Sequence, residues 1–226
     1  MPLPSTPSAA PPSLPVVETF HSLQGEGLHA GRSAFFLRLA GCRVACPWCD
    51  TRHSWPEAAH PRLSLAELAA AAQEAAAAGA AFVVLTGGEP LHHDLAPLCA
   101  QIRAATTGPA WPRGLPLHLE TSGVDPLRGE FDWITLSPKR HRPPRPELLA
   151  ACHELKVVVQ QPADLPFASA MAAQARQQRG AIGEGPALLL QPAWDEPEGM
   201  RLACEHVRAD PAWRLSLQTH KYLGLR

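Results

Sequence analysis

The residues that most plainly invite chemistry are three cysteines in one short stretch, Gly41-Cys42-Arg43-Val44-Ala45-Cys46-Pro47-Trp48-Cys49-Asp50-Thr51. Three thiolates spaced CxxxCxxC can wrap a single metal centre, because a loop free of ladder hydrogen bonds can turn all its sulfurs inward. Two centres suit the spacing. His53, four residues beyond Cys49, would complete a Cys3His zinc tetrahedron. Alternatively, the three cysteines hold a cubane [4Fe–4S] cluster with one iron open to an exchangeable ligand. Spacing alone does not separate the two. Three merely buried thiols are the weaker explanation, since a cytosolic chain gains nothing by clustering side chains it must keep reduced. Cys99, Cys152 and Cys204 are scattered over helical segments and read as small packed apolar side chains.

A second set of polar residues recurs where apolar runs end. These are Thr86-Gly87-Gly88-Glu89-Pro90, Glu120-Thr121-Ser122-Gly123, Ser137-Pro138-Lys139, Gln191-Pro192 and Gln218-Thr219-His220-Lys221. Glycine and proline end strands and threonine or serine caps helices, so each cluster alone has a structural explanation. Their position at successive strand ends is different, because in α/β folds those ends share one rim where ligands sit.

The elements that must position these groups follow from period. Apolar runs at 34–39, 82–86, 117–121, 133–137, 155–159, 188–191 and 215–218 read as strands. Alanine- and leucine-rich segments at 64–78, 94–106, 146–152, 164–178 and 198–208 carry the helical period. Strand and helix alternate, the pattern of a parallel sheet with crossover helices. Ser64 with Glu67 forms a capping box, and Asp94 and Asp164 are candidate N-caps. Residues 1–15 hold six prolines among serine and alanine, which predicts a disordered tail ahead of one domain spanning 16–226.

Twenty Lys+Arg against twenty-one Asp+Glu leave a net charge of -1, so no basic field draws in nucleic acid or an anionic bilayer. The alanine-rich run 65–81 is broken by Glu67, Gln73 and Glu74, well short of the roughly 20 apolar residues of a span. The first fifteen residues show neither the basic start nor the apolar core of an export signal, which predicts a cytoplasmic, reducing compartment.

CxxxCxxC after a first strand, an aromatic before the last cysteine and Gly-Gly-Glu-Pro after the second strand resemble the radical S-adenosylmethionine (SAM) superfamily. A narrower set resembles its 7-carboxy-7-deazaguanine synthase family, of queuosine and 7-deazaguanine biosynthesis. That set is Glu18-Thr19-Phe20, Leu23-Gln24-Gly25-Glu26-Gly27, Phe36-Leu37-Arg38-Leu39, Cys49-Asp50-Thr51, Glu154-Leu155-Lys156 and Ser216-Leu217-Gln218-Thr219-His220-Lys221. The resemblance implies a shortened (β/α)6 barrel of TIM type and a lyase that contracts 6-carboxy-5,6,7,8-tetrahydropterin to 7-carboxy-7-deazaguanine with loss of ammonia.

It further implies that Cys42, Cys46 and Cys49 hold a [4Fe–4S] cluster whose open iron chelates SAM, cleaved to a radical and regenerated each cycle. Gly87 and Gly88 would let backbone approach the methionyl end, and Glu89 would meet its ammonium or cap a helix. Trp48, Asp50, Ser137, Pro138, Lys139 and Gln191 would meet the rest of SAM, and Thr51 would help hold Mg2+. Leu23, Gln24, Gly25, Glu26, Thr86 and His220 would contact the pterin, and Arg38 its carboxylate. The terminal carboxylate of Arg226 would accept from the aminopyrimidine edge. A homodimer and a reducing partner such as a flavodoxin are implied too. A glycyl-radical-type activating enzyme shares CxxxCxxC and GGEP but not the LQGEG and LQTHK stretches. A zinc-binding structural protein using His53 is the reading from another class.

Overall fold

The computed structural model describes residues 12–179 and 185–225. Among them nine strands make one sheet in the order β3-β1-β2-β4-β5-β6-β7-β8-β9. These are β1 (Ser13–Leu23), β2 (Ser33–Leu39), β3 (Arg62–Ser64), β4 (Val83–Gly87), β5 (Leu117–Thr121), β6 (Trp133–Leu136), β7 (Glu154–Val159), β8 (Ala187–Pro192) and β9 (Trp213–Leu215). From β2 through β4 to β9 all neighbours are parallel, whereas β1 runs antiparallel to β2 and β3. Helices α1 (Leu65–Ala77), α2 (Ala96–Thr106), α3 (Pro146–Ala151), α4 (Asp164–Arg179) and α5 (Pro197–Ala209) make the crossovers, and a single turn, α6 (Thr219–Tyr222), follows β9. This is the partial barrel: six parallel strands of four residues or more, then the three-residue β9.

The strand period of two divides the sheet into unlike faces. Leu37 and Leu39 of β2, Leu85 of β4, Leu117 and Leu119 of β5, Leu136 of β6 and Leu155 of β7 join the helices in the main core. Each such leucine stabilises the fold by about 1.5–3 kcal/mol. Alternate residues point into the bore: Arg38, Thr86, Glu120, Thr135, Lys156 and Gln191 all line its cavity. Helix α1 shows how the outer layer docks. Leu65, Leu68, Ala69, Ala72 and Ala75 make one buried stripe at helical spacing. Its start is the predicted capping box, with Ser64 Oγ accepting from Glu67 N–H at 3.2 Å and Glu67 Oε2 accepting from Ser64 N–H at 2.7 Å.

Three differences from the sequence reading have physical causes. Ser13–Pro15, assigned to the tail, begin β1 and pair with β3, where the missing N–H of Pro15 costs little because it falls at the start of the strand; residues 1–11 of the expected tail lie outside the described residues. The last strand is Trp213–Leu215 rather than 215–218: Ser216 N–H still donates to Leu190 O of β8, and beyond it the chain turns so that the Ser216 hydroxyl and the Gln218 amide reach Gln191 and Glu26 in the bore. Asp164 does not cap the start of α4 from outside. It sits in the helix and accepts from the N–H groups of Gln160 and Gln161.

Candidate active site

The strand ends and the cysteine loop enclose one cavity of about 630 Å3. Cys42, Cys46 and Cys49 line one side of it. Their loop, which follows β2, is shaped by backbone rather than by regular structure. Ala45 is left-handed (φ 56°), Gly41 N–H donates to Ser54 O, Cys42 N–H to Trp55 O and Cys49 N–H to Cys46 O. Trp55 Nε1 donates to Cys49 Sγ at 3.4 Å, and Thr51 Oγ1 lies 3.6 Å from the same sulfur. Burial pushes the Cys42 and Cys46 thiols up, and at Cys46 the Lys139 ammonium pulls the other way. Burial in turn pushes Lys139 down; its Nζ donates to Ser137 Oγ at 2.8 Å.

The two glycines at the end of β4, Gly87 and Gly88, are needed for packing. A Cβ on Gly88 would sit 2.4 Å from Gly41 O, and one on Gly87, at φ 132°, 2.1 Å from Leu39 O. They let the end of β4 press against the cysteine loop. Glu89 is buried and already has its partners: it accepts from Leu91 N–H, from the Thr121 hydroxyl, and from the Ser122 hydroxyl and N–H. In this structure it caps the 3-10 turn Pro90–His92 through Leu91 N–H and ties the β4 end to the β5 end through Thr121 and Ser122.

The opposite side of the cavity includes Gln24, Gly25 and Glu26 at the start of the loop that joins β1 to β2. Gln24 Nε2 donates to Glu120 Oε1 at 2.9 Å, and Thr86 Oγ1 donates to Glu120 Oε2 at 2.8 Å. Lys156 Nζ donates to Glu26 Oε2, and Gln218 Nε2 donates to Glu26 Oε1 at 2.8 Å. Burial alone would raise Glu26, but the Lys156 ammonium and these hydrogen bonds hold it down to about 2. Lys156 is held above the ordinary lysine range by Glu26 and Glu120 against its own burial. Glu154 accepts from Leu28 N–H and Thr135 Oγ1; burial raises its carboxyl. Gly25 is required here, since a Cβ would lie 2.1 Å from the His220 ring.

Arg38 lines the cavity but shares its charge with Glu18, its cross-strand neighbour, at 3.0 Å. Asp50 pairs with Lys221 Nζ at 2.5 Å, which holds its carboxyl below the usual range against burial; Lys221 also lies 5.1 Å from the Trp194 ring. Trp48, Thr51, Leu23, Ser137 and Gln191 complete the expected residues on this lining. Pro138 is buried but does not line the cavity, and Arg226 lies outside the described residues.

Sequence reading placed Glu120, Gln218 and Lys221 on the rim, and Glu154 and Lys156 in the family resemblance, but gave none of the five a role in the site. A signal was present: charged residues at alternate positions of otherwise apolar strands, as in Glu154-Leu155-Lys156-Val157, mark a polar inner face. His53 is exposed and does not line the cavity that the three cysteines face. A mononuclear Cys3His site is therefore not what this loop builds. Three cavity-facing thiols without a fourth protein donor do fit a [4Fe–4S] cluster with an open iron.

A family model described as the radical SAM superfamily matches residues 37–154. The 7-carboxy-7-deazaguanine synthase of Prochlorococcus marinus is 52% identical over 221 residues, covering 94% of this chain and 98% of that protein. The Synechocystis sp. protein of the same name is 48% identical, with 95% and 94% covered. The crystal structure of QueE from Escherichia coli is similar with a TM-score of 0.74 at 31% identity, covering 92% of this chain and 95% of that one. The superfamily's [4Fe–4S] cluster and SAM agree with the donor set above, and matches over nearly the whole length remove both the zinc and the activating-enzyme readings. The chain belongs to the radical SAM superfamily and, within it, to the 7-carboxy-7-deazaguanine synthases.

Proposed function

We propose that this chain is a lyase converting 6-carboxy-5,6,7,8-tetrahydropterin to 7-carboxy-7-deazaguanine with loss of ammonia, in queuosine biosynthesis. The observation that carries the reading is that one shared cavity joins three thiols on one side to a set of hydrogen-bonding and charged groups on the other. When bound, the cluster and SAM supply hydrogen-atom abstraction. The chain supplies placement and exclusion of water.

Cys42, Cys46 and Cys49 hold the cluster. Trp48, Asp50, Gly88, Glu89, Ser137, Pro138, Lys139 and Gln191 surround SAM, with Glu89 acting through the strand ends it ties together. Leu23, Gln24, Gly25, Glu26, Thr86 and His220 contact the pterin; Glu26 stays ionised and accepts from its N–H groups, and Arg38 takes the carboxylate. The Arg226 carboxylate accepts from the amino group. Thr51 offers a hydroxyl oxygen to Mg2+, a hard ion that would bind together with substrate. The enzyme works in the cytoplasm as a homodimer, reduced by a flavodoxin-like partner. Among the described residues no helix is long and apolar enough to cross a membrane, which is compatible with that setting.

Anaerobic reconstitution tests the first step of this reading. The protein should turn brown with about four irons and about four sulfides per chain and then cleave SAM under reductant. A colourless protein carrying one zinc would overturn it.

A further inference from the structure

The cysteine loop is gripped by imidazoles that the reaction chemistry does not use. His92 ends the short 3-10 turn Pro90–His92 after β4, and its Nε2 accepts the backbone N–H of Arg43 at 2.9 Å. An amide N–H can only donate, so Nε2 is the bare nitrogen and Nδ1 carries the hydrogen, which it gives to Asp125 Oδ2. The His92 side chain is 8% exposed and Asp125 comes from the β5–β6 connection. His93 Nε2 meets Ala40 O at 2.9 Å, and His141 Nε2 meets Val44 O at 2.9 Å. The loop is thus held on both sides of Cys42, but His92 alone holds it through a nitrogen fixed by a carboxylate.

We propose that the Asp125–His92 pair is a positioning device for the cluster: by binding the Arg43 amide it fixes the peptide that follows Cys42 and so aims the Cys42 thiol. The inference rests on the reading of the three cysteines as cluster ligands. A metal-binding loop has soft backbone torsions, and a ligand whose peptide can rotate exchanges more readily than one whose peptide is tied. Orientation of a ligand through an imidazole–carboxylate pair usually acts on a side-chain ligand. Here it acts on the main chain.

The experiment uses the full chain, reconstituted anaerobically, with three variants: His92→Ala, His92→Gln and Asp125→Asn. Gln places an oxygen acceptor where Nε2 stands, so it retains the bond to Arg43. Iron loss to a chelator is followed by absorbance, with the EPR spectrum of the reduced cluster and the melting temperature of each metal-free protein. His92→Ala is expected to lose iron about tenfold faster than the parent and to broaden the EPR lines, while Gln stays within about twofold. Asp125→Asn should fall between them. Parental iron retention in His92→Ala, or equal loss in the Ala and Gln variants, would overturn the proposal. If the metal-free His92→Ala protein does not fold, Asp125→Asn decides, and parental retention there contradicts it. A parent that forms no cluster at all fails the functional reading instead, so the two failures are distinguishable.

Discussion

The cysteine loop and the polar lining of the bore face each other across one cavity, yet they are built in opposite ways. The loop is local: its three thiols lie close in sequence and its shape comes from backbone hydrogen bonds to Ser54, Trp55 and the imidazoles around it. The bore is assembled from afar, with Glu26 meeting Lys156 and Gln218, and Glu120 meeting Gln24 and Thr86. Its charges are buried, so each partner is needed to keep the other from being stranded. A local site can lose a ligand and leave the fold standing; a buried network cannot lose a charge so lightly.

That contrast is testable by substitution. The largest effect on function is expected from Cys46→Ala: cluster content and turnover fall to background while the melting temperature barely changes, because the main core is packed from other residues. SAM cleavage by the reconstituted variant would break the assignment of the loop. Lys156→Met should instead damage the fold, by about 3–5 kcal/mol in denaturant titration, since it strands the Glu26 carboxylate. Adding Glu26→Gln should recover most of that loss. Full additivity of the two would show that the charges do not depend on one another.

The bottom of the bore sharpens the comparison through pH. His118 stacks on Phe82 at 4.1 Å, and burial lowers its pKa from 6.5 to about 3, with His29 and Arg32 adding repulsion. The unfolded chain takes up a proton near pH 6.5 that the folded chain refuses. Stability from this residue is therefore complete above pH 6.5 and falls as pH drops toward the folded value, by about 2 kcal/mol at pH 5. Replacing His118 with Phe should flatten the stability curve between pH 7 and 5; an unchanged slope would assign the acid sensitivity elsewhere. The smallest expected effect is Arg38→Ala, which raises KM for the carboxylated pterin about tenfold at saturating SAM. Its partly exposed pair with Glu18 contributes little to the fold. An unchanged KM would leave Arg38 as no more than Glu18's partner.

The same contrast decides what could be read from sequence. The cysteine loop was legible as spacing, and six of the seven parallel strands as apolar runs, because both signals are contained in a few consecutive residues. The capping box at Ser64 was legible for that reason too. Strand β1 was hidden by prolines at its start and by a bulge near Glu18 that breaks its alternation. The partners of Glu26 were hidden by distance: nothing near it in sequence names Lys156 or Gln218. Gly87 and Gly88 were found, but close packing on Leu39 and Gly41 accounts for them in a way that ligand approach alone did not.

If one cavity serves as a single reaction chamber, the cysteine loop and the polar lining opposite it act on the same substrate. The most direct test is anaerobic incubation of the reconstituted protein with SAM, reductant, Mg2+ and 6-carboxy-5,6,7,8-tetrahydropterin, with product mass and ammonia followed together. The account predicts 7-carboxy-7-deazaguanine and ammonia in equal amounts while SAM is not consumed in proportion. A protein that cleaves SAM but leaves the pterin unchanged would contradict it.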